Sequence, residues 1–151
     1  MEPTGNGVLS APYALEYTYR RSVGPVIGRF LSSLREGRIE GVRTAGGRVV
    51  VPPVEYDPES GDATVEFVSV GDAGVVTTWA WMGEPRPGQP LSRPFAWALI
   101  KLDGADTAML HAVDAGSAAS MKTGMRVRAR WSEERTGGIG DIACFEPEGG
   151  T

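Results

Sequence analysis

The sequence is poor in cysteine and histidine, two residue types that often bind metals or act in catalysis. Among 151 residues there is one cysteine, Cys144, and one histidine, His111. A single cysteine excludes an internal disulfide and a cysteine zinc cluster, and a single histidine cannot form the usual histidine metal cluster. We interpret Cys144 as a buried structural thiol rather than a reactive one. The sequence therefore predicts no metal ligands.

Excess positive charge and long apolar runs are also missing. The net charge is −4 and the pI is about 5.0, which does not favour nucleic-acid binding. No apolar run approaches the roughly 20 residues of a membrane span, and the N-terminus lacks a signal pattern. A length of 151 residues with 41% hydrophobic residues suits one domain with a core. We expect a soluble, cytoplasmic protein.

One helix is predicted near the N-terminus. Ser22 is a candidate N-cap, Pro25 lies in the first turn, and Gly37 is a candidate C′ residue. Apolar residues recur at helical spacing between these limits. They are Val26, Ile27, Phe30, Leu31 and Leu34. This stripe must be buried, either within the chain or against a partner.

A stretch with two turns follows at residues 41–61. The first turn is 44–47 and the second is 57–61, and between them runs a short apolar strand, 48–51, closed by Pro52 and Pro53. From residue 64 the apolar pattern changes to period two. Strands are predicted at 64–70, 75–82, 95–102, 107–113 and 125–131, with an edge strand at 141–145. The 83–94 loop carries four prolines, which exclude a sheet ladder there. Five or six short antiparallel strands suit a small closed barrel or a sandwich.

No catalytic residue is predicted. His111 lies in the middle of a strand, without a cysteine motif or a G-x-S-x-G motif around it. Pairs of carboxylates occur in turns or at strand ends, where solvated turn residues explain them better than acid–base work. They are Asp57 with Glu59, Asp103 with Asp106, and Glu133 with Glu134.

Alternation places Arg126, Arg128 and Arg130 on one face of a strand. Three guanidinium groups in a row could bind phosphate, and the alternative is a solvated face balanced by nearby acids. Trp79 and Trp81 also share a face, which is either core or an outward stacking surface. An outward surface would fit an OB-fold that binds single-stranded nucleic acid.

The N-terminal residues 15–20 alternate between apolar and polar types. They predict a short extended arm carrying Tyr17 and Tyr19. The arm either docks onto another protein or packs on its own domain, and both alternatives are open.

Several segments, taken in order over residues 23–147, resemble a known family. These are OB-fold proteins with a rubredoxin-like zinc ribbon, classed as the thirty-fifth domain of unknown function, which accompany thiolases and thiolase-like aldolases. The segments that carry the resemblance are 30–31, 34–37, 47–53, 57–58, 60–61, 74–79, 93–104, 123–127 and 145–147. The zinc cysteines of the ribbon would fall at Arg43, Gly46, Asp57 and Ser60. Because these residues cannot form a four-ligand site, we expect a metal-free remnant.

The resemblance implies a mainly β fold and four segments. An N-terminal arm would cover 1–22, the helix and the ribbon-like segment 23–62, the OB-fold barrel 63–147, and a tail 148–151. The resemblance implies that the helix, which lies outside the barrel in the family, and the strand of the ribbon-like segment contact a partner. The expected partner-binding residues are Tyr17, Tyr19, Phe30, Leu34, Val49, Val51, Pro52 and Pro53.

The resemblance also implies a function without catalysis by this chain. Relatives in actinobacteria pair with lipid-transfer-protein type aldolases that cleave steroid-CoA side chains retro-aldolically. The composition, rich in Gly, Ala, Arg and Val, is compatible with such a source. We expect a hetero-oligomer, a dimer of heterodimers, in which this chain stabilises its partner and helps form the CoA channel, with Arg126, Arg128 and Arg130 near the CoA phosphates. The alternatives are a nucleic-acid-binding module and an autonomous acyl-CoA-binding enzyme.

Overall fold

The computed structural model of the protein describes residues 7, 9–64 and 66–149. Within them, one α-helix precedes eight strands, and two short 3-10 turns interrupt the second half of the chain. The elements are α1 (Gly24–Arg35), β1 (Ile39–Arg43), β2 (Val49–Val50), β3 (Glu66–Val70), β4 (Ala73–Met82), β5 (Phe95–Leu102), β6 (Ala108–Val113), β7 (Arg126–Trp131) and β8 (Ile142–Pro147). No helix of the described chain is both long and apolar enough to cross a membrane.

The predicted helix is present, with one change at its start. Val23 is the N-cap and makes no side-chain cap, while the Ser22 hydroxyl accepts a hydrogen bond from the Gly24 N–H at 3.2 Å. Pro25 lies in the first turn, where its missing N–H costs little. Gly37 follows the helix with φ of +75°, a conformation in which glycine is favoured at C′.

The helix packs against a three-stranded sheet with strand order β2-β1-β3. Glu40 of β1 is buried and carries the polar part of this contact. Its carboxylate accepts a hydrogen bond from the Ser33 hydroxyl and pairs with Arg29 at 3.0 Å. Arg38 lies 3.5 Å from the same carboxylate. Burial opposes ionisation, but these donors outweigh it and hold the pKa of Glu40 below its usual value.

The second half of the chain forms a closed barrel of five strands in the order β4-β5-β6-β8-β7. The predicted edge strand is β8, which is longer than expected and closes the barrel. It pairs antiparallel with β7, and parallel with β6 through Val113 and Phe145. The prediction of antiparallel pairing throughout is therefore corrected at this one contact. The mainly β, closed-barrel class is confirmed.

A strand that the sequence assigned to the barrel lies outside it. β3 pairs along its whole length with β1, from Ile39 opposite Val70 to Arg43 opposite Glu66. β3 thus belongs to the three-stranded sheet, and the first strand of the barrel is β4. Periodicity identified the strand but could not identify its neighbour, because a period of two is the same in either sheet.

A bulge decides which way the β4 tryptophans point. The β4–β5 register shifts between Val76 and Thr78. An inserted residue changes the face that later side chains occupy, so Trp79 and Trp81 follow Val76 toward the interior. Both are half-buried and pack against the main core. Of the two sequence alternatives, the core position is the observed one.

Gly74 is required where β4 crosses β5 closely. A Cβ added there would lie 2.3 Å from the Lys101 carbonyl oxygen and 2.7 Å from the Leu102 Cα. We expect Gly74→Ala to lower the free energy of unfolding by about 1–3 kcal/mol, because backbone must move to relieve the overlap. Chemical denaturation followed by circular dichroism measures this.

Gly138→Ala is the matched control for that substitution. Gly138 has φ of −134°, and a Cβ there meets nothing within 4 Å. Equal stability of the two variants would contradict the close approach of β4 and β5.

Candidate partner-binding surface

Most of the expected partner-binding side chains are used inside the chain. Phe30 and Leu34 are 3% and 0% exposed in the main core, and Val49 and Val51 are 4% and 1% exposed. Pro53 is buried as well. Their assignment to a partner surface is corrected, since side chains already buried in the chain's own core offer no area to another protein. The intramolecular use of the helix stripe, left open by the sequence, is the observed one.

The remaining expected residues are exposed. Pro52 faces solvent at the end of the ribbon strand. Tyr17 and Tyr19 are each 74% exposed, and every described residue from 9 to 23 is exposed. The arm therefore does not pack on its own domain, which was one of the two alternatives.

The ribbon-like segment keeps its two turns and is held by ion pairs and backbone bonds. Asp57, at one expected cysteine position, is buried and accepts the Glu59 N–H at 2.9 Å. Arg48 lies 3.5 Å from Asp57 and 3.2 Å from Glu59. The Glu59 N–H is the main cause that lowers the pKa of Asp57, with Arg48 adding to it. The Asp57 carboxylate thus accepts a backbone N–H of this turn.

Two of the other expected ligand positions make local hydrogen bonds. Arg43 donates to Glu66 across β1 and β3 at 2.7 Å, and the Ser60 hydroxyl accepts the Asp62 N–H at 3.2 Å. In residues 7, 9–64 and 66–149, no group of three or more His, Cys, Asp and Glu side chains is placed to hold a metal ion.

The three arginines of β7 share one outer face, and each meets a carboxylate. Arg126 forms two bonds with Asp103, at 2.6 and 3.0 Å, and one with Glu148 at 2.7 Å. Arg130 contacts Asp114 at 3.0 Å and Glu146 at 3.3 Å. Arg128 has a single, longer contact with Glu146, at 3.3 Å, and a side chain that is 59% exposed. A phosphate that binds these arginines would therefore compete with carboxylates of the same chain. This competition is weakest at Arg128.

These carboxylates are strongly held. Hydrogen bonding from Arg93 is the largest cause that lowers the pKa of Asp114, and Arg130 adds to it against the opposing effect of burial. Hydrogen bonding from Arg126 lowers the pKa of Asp103 in the same way. The sequence placed Asp103 in a solvated turn, and it gave no sign that Asp103 or Asp114 would pair with β7.

A cavity of about 400 Å³ opens on the outer barrel face, beside the gap between β6 and the start of β8. Its lining has no charged side chain. The lining residues are Gly88, Pro90, Trp97, Leu110, His111, Ser132, Ile139, Gly140, Ile142 and Ala143. Leu110 and Ile139 are 59% and 51% exposed and form an apolar rim that the sequence pattern does not reveal. Alternation alone does not show which strand face is left uncovered.

His111 lies at this cavity as a structural residue. Its Nδ1 accepts the Ala112 N–H at 2.8 Å, and its ring packs edge-on against Phe145 at 5.4 Å between ring centres. Burial lowers the pKa of His111, against the opposing effect of hydrogen bonding to backbone groups. With Nδ1 already bonded, the ring is not placed to act as a general base toward a ligand.

Cys144 is the remaining candidate nucleophile, and its burial makes it unreactive. The residue is buried, and burial raises the pKa of its thiol to about 11, despite the nearby Arg130. A thiol with such a pKa stays protonated at neutral pH and is a poor nucleophile.

A closed five-stranded barrel in this strand order, with a helix and a small sheet in front of it, defines an OB-fold protein with an appended N-terminal unit. Residues 67–132 match the family described as ChsH2, C-terminal OB-fold domain. This part of the chain is similar to that family, and the match bears out the resemblance drawn from the sequence. A comparison with curated proteins finds no match.

Two solved structures extend the likeness in fold. One is a chain of the Ltp2–ChsH2(DUF35) aldolase, with a TM-score of 0.62 and 19% identity, covering 85% of this chain and 98% of that one. The other is a protein of unknown function from the DUF35 family of Sulfolobus solfataricus, with a TM-score of 0.57 and 22% identity. The match covers 71% of this chain and 77% of that one. At these identities the likeness concerns the fold.

The ribbon-like segment predicts a metal-free protein. We expect purified protein to contain no stoichiometric zinc, because Arg43, Gly46 and Ser60 cannot replace zinc thiolates. Elemental analysis by mass spectrometry measures the zinc content, and a thermal melt with and without a chelator should give the same Tm. Zinc bound at this segment, or a Tm lowered by the chelator, would contradict the assignment of the four positions.

His111 predicts a loss of stability in mild acid. Its pKa is lower in the folded state than its ordinary value of 6.5. Between these two values the unfolded chain binds more protons, so the free energy of unfolding falls as the pH falls below about 6.5. Denaturation at a series of pH values between 7 and 5 measures this.

His111→Gln is the control for this pH effect. The variant starts from a lower stability, but should lose less between pH 7 and 5, because carboxylates alone then titrate. Parallel curves for the two proteins would contradict the assignment.

Proposed function

We propose that this chain is a non-catalytic accessory subunit of a thiolase-like aldolase of the lipid-transfer-protein type that acts on acyl-CoA. One observation carries the proposal: the structural similarity of this chain extends over 98% of a chain in the Ltp2–ChsH2(DUF35) aldolase. The match of residues 67–132 to the ChsH2 OB-fold family supports it independently.

The state of the candidate reactive groups supports a non-catalytic role. His111 has its Nδ1 bonded to a backbone N–H, and burial keeps the Cys144 thiol protonated. The chemistry would then belong to the partner, and this chain would stabilise it in a hetero-oligomer, a dimer of heterodimers. An autonomous acyl-CoA enzyme has less support, because it would need a free acid–base or nucleophilic group.

The finer parts of the proposal concern substrate and cofactor. We propose retro-aldol cleavage of a steroid-CoA side chain as the partner's reaction, with this chain forming part of the wall of the CoA channel in the cytoplasm. Arg128 is the member of the β7 face best able to meet a CoA phosphate, since its single carboxylate contact is the weakest of the three. Arg126 and Arg130 would have to exchange a carboxylate contact for the phosphate.

The nucleic-acid alternative loses the feature that motivated it. Trp79 and Trp81 pack against the core rather than forming an outward stacking platform. The outer barrel cavity has no cationic side chain in its lining, and the β7 arginines face carboxylates. Binding single strands needs aromatic faces beside free positive charge.

Co-expression with a thiolase-like aldolase is the test of this function. We expect the two chains to co-elute as one complex, the complex to cleave a carbon–carbon bond of an acyl-CoA, and the isolated chain to turn over none. The isolated chain should also self-associate or be poorly soluble. Size-exclusion chromatography with light scattering and a thioester assay measure these outcomes.

His111→Gln serves as the control, and it should leave turnover by the complex unchanged. A monodisperse isolated monomer without affinity for such an aldolase would overturn the proposal. Acyl-CoA turnover by the isolated chain, lost in His111→Gln, would favour the autonomous enzyme instead.

A further inference from the structure

The arm is a segment that the chain's own fold does not absorb. Residues 9–22 belong to no helix or strand. Within the described residues, no hydrogen bond joins 9–21 to the folded body. Five large apolar side chains on it are between 62% and 100% exposed. They are Leu9, Tyr13, Leu15, Tyr17 and Tyr19. Segments that stay disordered are poor in aromatic residues, so this composition indicates a segment that becomes ordered on a partner.

The spacing of these side chains selects an extended bound form. In a strand, Tyr13, Leu15, Tyr17 and Tyr19 all lie on one side, with Glu16 and Thr18 on the other. In a helix the same four would split, because residues two apart are about 200° apart around the axis. Only the strand gathers the apolar side chains into one stripe.

An extended segment with free main-chain groups binds through them when it adds to the edge of a sheet. Main-chain hydrogen bonds then give affinity, and alternate side chains give specificity. Residues 13–19 would span about 20 Å, the length of an ordinary strand. The apolar side of the arm carries no charge, so it fits an edge flanked by an uncharged apolar strip.

The edges of this chain do not take up the arm. The free side of β2 is covered: the Val49 N–H donates to Asp106 at 2.8 Å, and the Val51 N–H donates to Thr107 at 2.9 Å. The barrel is closed. β3 pairs only with β1, and it lies next to α1, since Arg29 stacks over the Phe67 ring at 4.1 Å. β3 thus keeps an open edge, yet the large apolar side chains of the arm remain 62–100% exposed.

We propose that residues 13–19 dock as an added β-strand on an exposed sheet edge of the aldolase partner, with Tyr13, Leu15, Tyr17 and Tyr19 buried on one side. This inference rests on the proposed function and specifies how the partner is held. The arm is then an anchor that reaches beyond the contact made by the folded body.

Amide hydrogen exchange of the isotopically labelled chain, alone and in the co-expressed complex, tests the docking mode. An edge strand offers every second N–H to its neighbour. We expect fast exchange along 13–19 in the free chain and protection of alternate amides in the complex. Protection in the free chain that grows with concentration would assign the arm to a second copy and overturn the proposal.

Substitutions on the two sides of the arm form the matched pair. Tyr17→Ser with Tyr19→Ser should weaken the complex about 100-fold, since buried aromatic anchors carry much of an interface's affinity. Glu16→Gln with Thr18→Ser, on the opposite side, should change the Kd less than about 3-fold. Equal effects of the two pairs would overturn the one-sided burial.

The outcomes separate this inference from the function on which it rests. A complex that forms and cleaves substrate while the arm exchanges freely would overturn the strand docking alone. Failure of any complex to form would overturn both.

Discussion

Closure of the barrel by β8 is the constraint on which the rest of the structure depends. β8 bonds to β7 on one side and to β6 on the other, so the five strands leave no open lateral edge. Phe145 and Ile142 place this strand in the core, at 0% and 1% exposure. The helix reaches the same region, because the Arg135 guanidinium donates to the Arg35 carbonyl at 2.9 Å. β8 therefore closes the barrel, and the loop that precedes it contacts the end of α1.

The β7–β8 loop that carries this helix contact is itself held by one buried carboxylate. Asp141 accepts the N–H groups of Thr136, Gly137 and Gly138, at 2.8, 2.7 and 3.3 Å. These bonds lower the pKa of Asp141 although burial opposes them. A buried carboxylate also holds the ribbon-like turn, where Asp57 accepts the Glu59 N–H. In both places a carboxylate satisfies amides that would otherwise be unpaired.

The sequence predicted the elements better than their arrangement. The helix stripe and the strand at 95–102 follow from local period and turn residues, and both were found as expected. Features that depend on distant contacts were not predictable in this way. The bulge in β4 turns Trp79 inward, β3 joins β1, and Arg126 meets Asp103 across 23 residues. For the same reason, a stripe of apolar residues showed that Phe30 and Leu34 must be buried. It did not show whether this chain or a partner would bury them.

The division of roles within the chain follows from where its groups are already bonded. The histidine and the cysteine are enclosed, and the β7 arginines meet carboxylates, so the folded body has few groups left for chemistry. Its edges are closed or covered, apart from β3, while the arm retains free main-chain groups and an aromatic side. In the docking proposed above, affinity for another protein would be concentrated in a segment on which the stability of the folded domain does not depend. Such a segment pays its ordering entropy only on binding, which suits a subunit that completes another protein rather than acting alone.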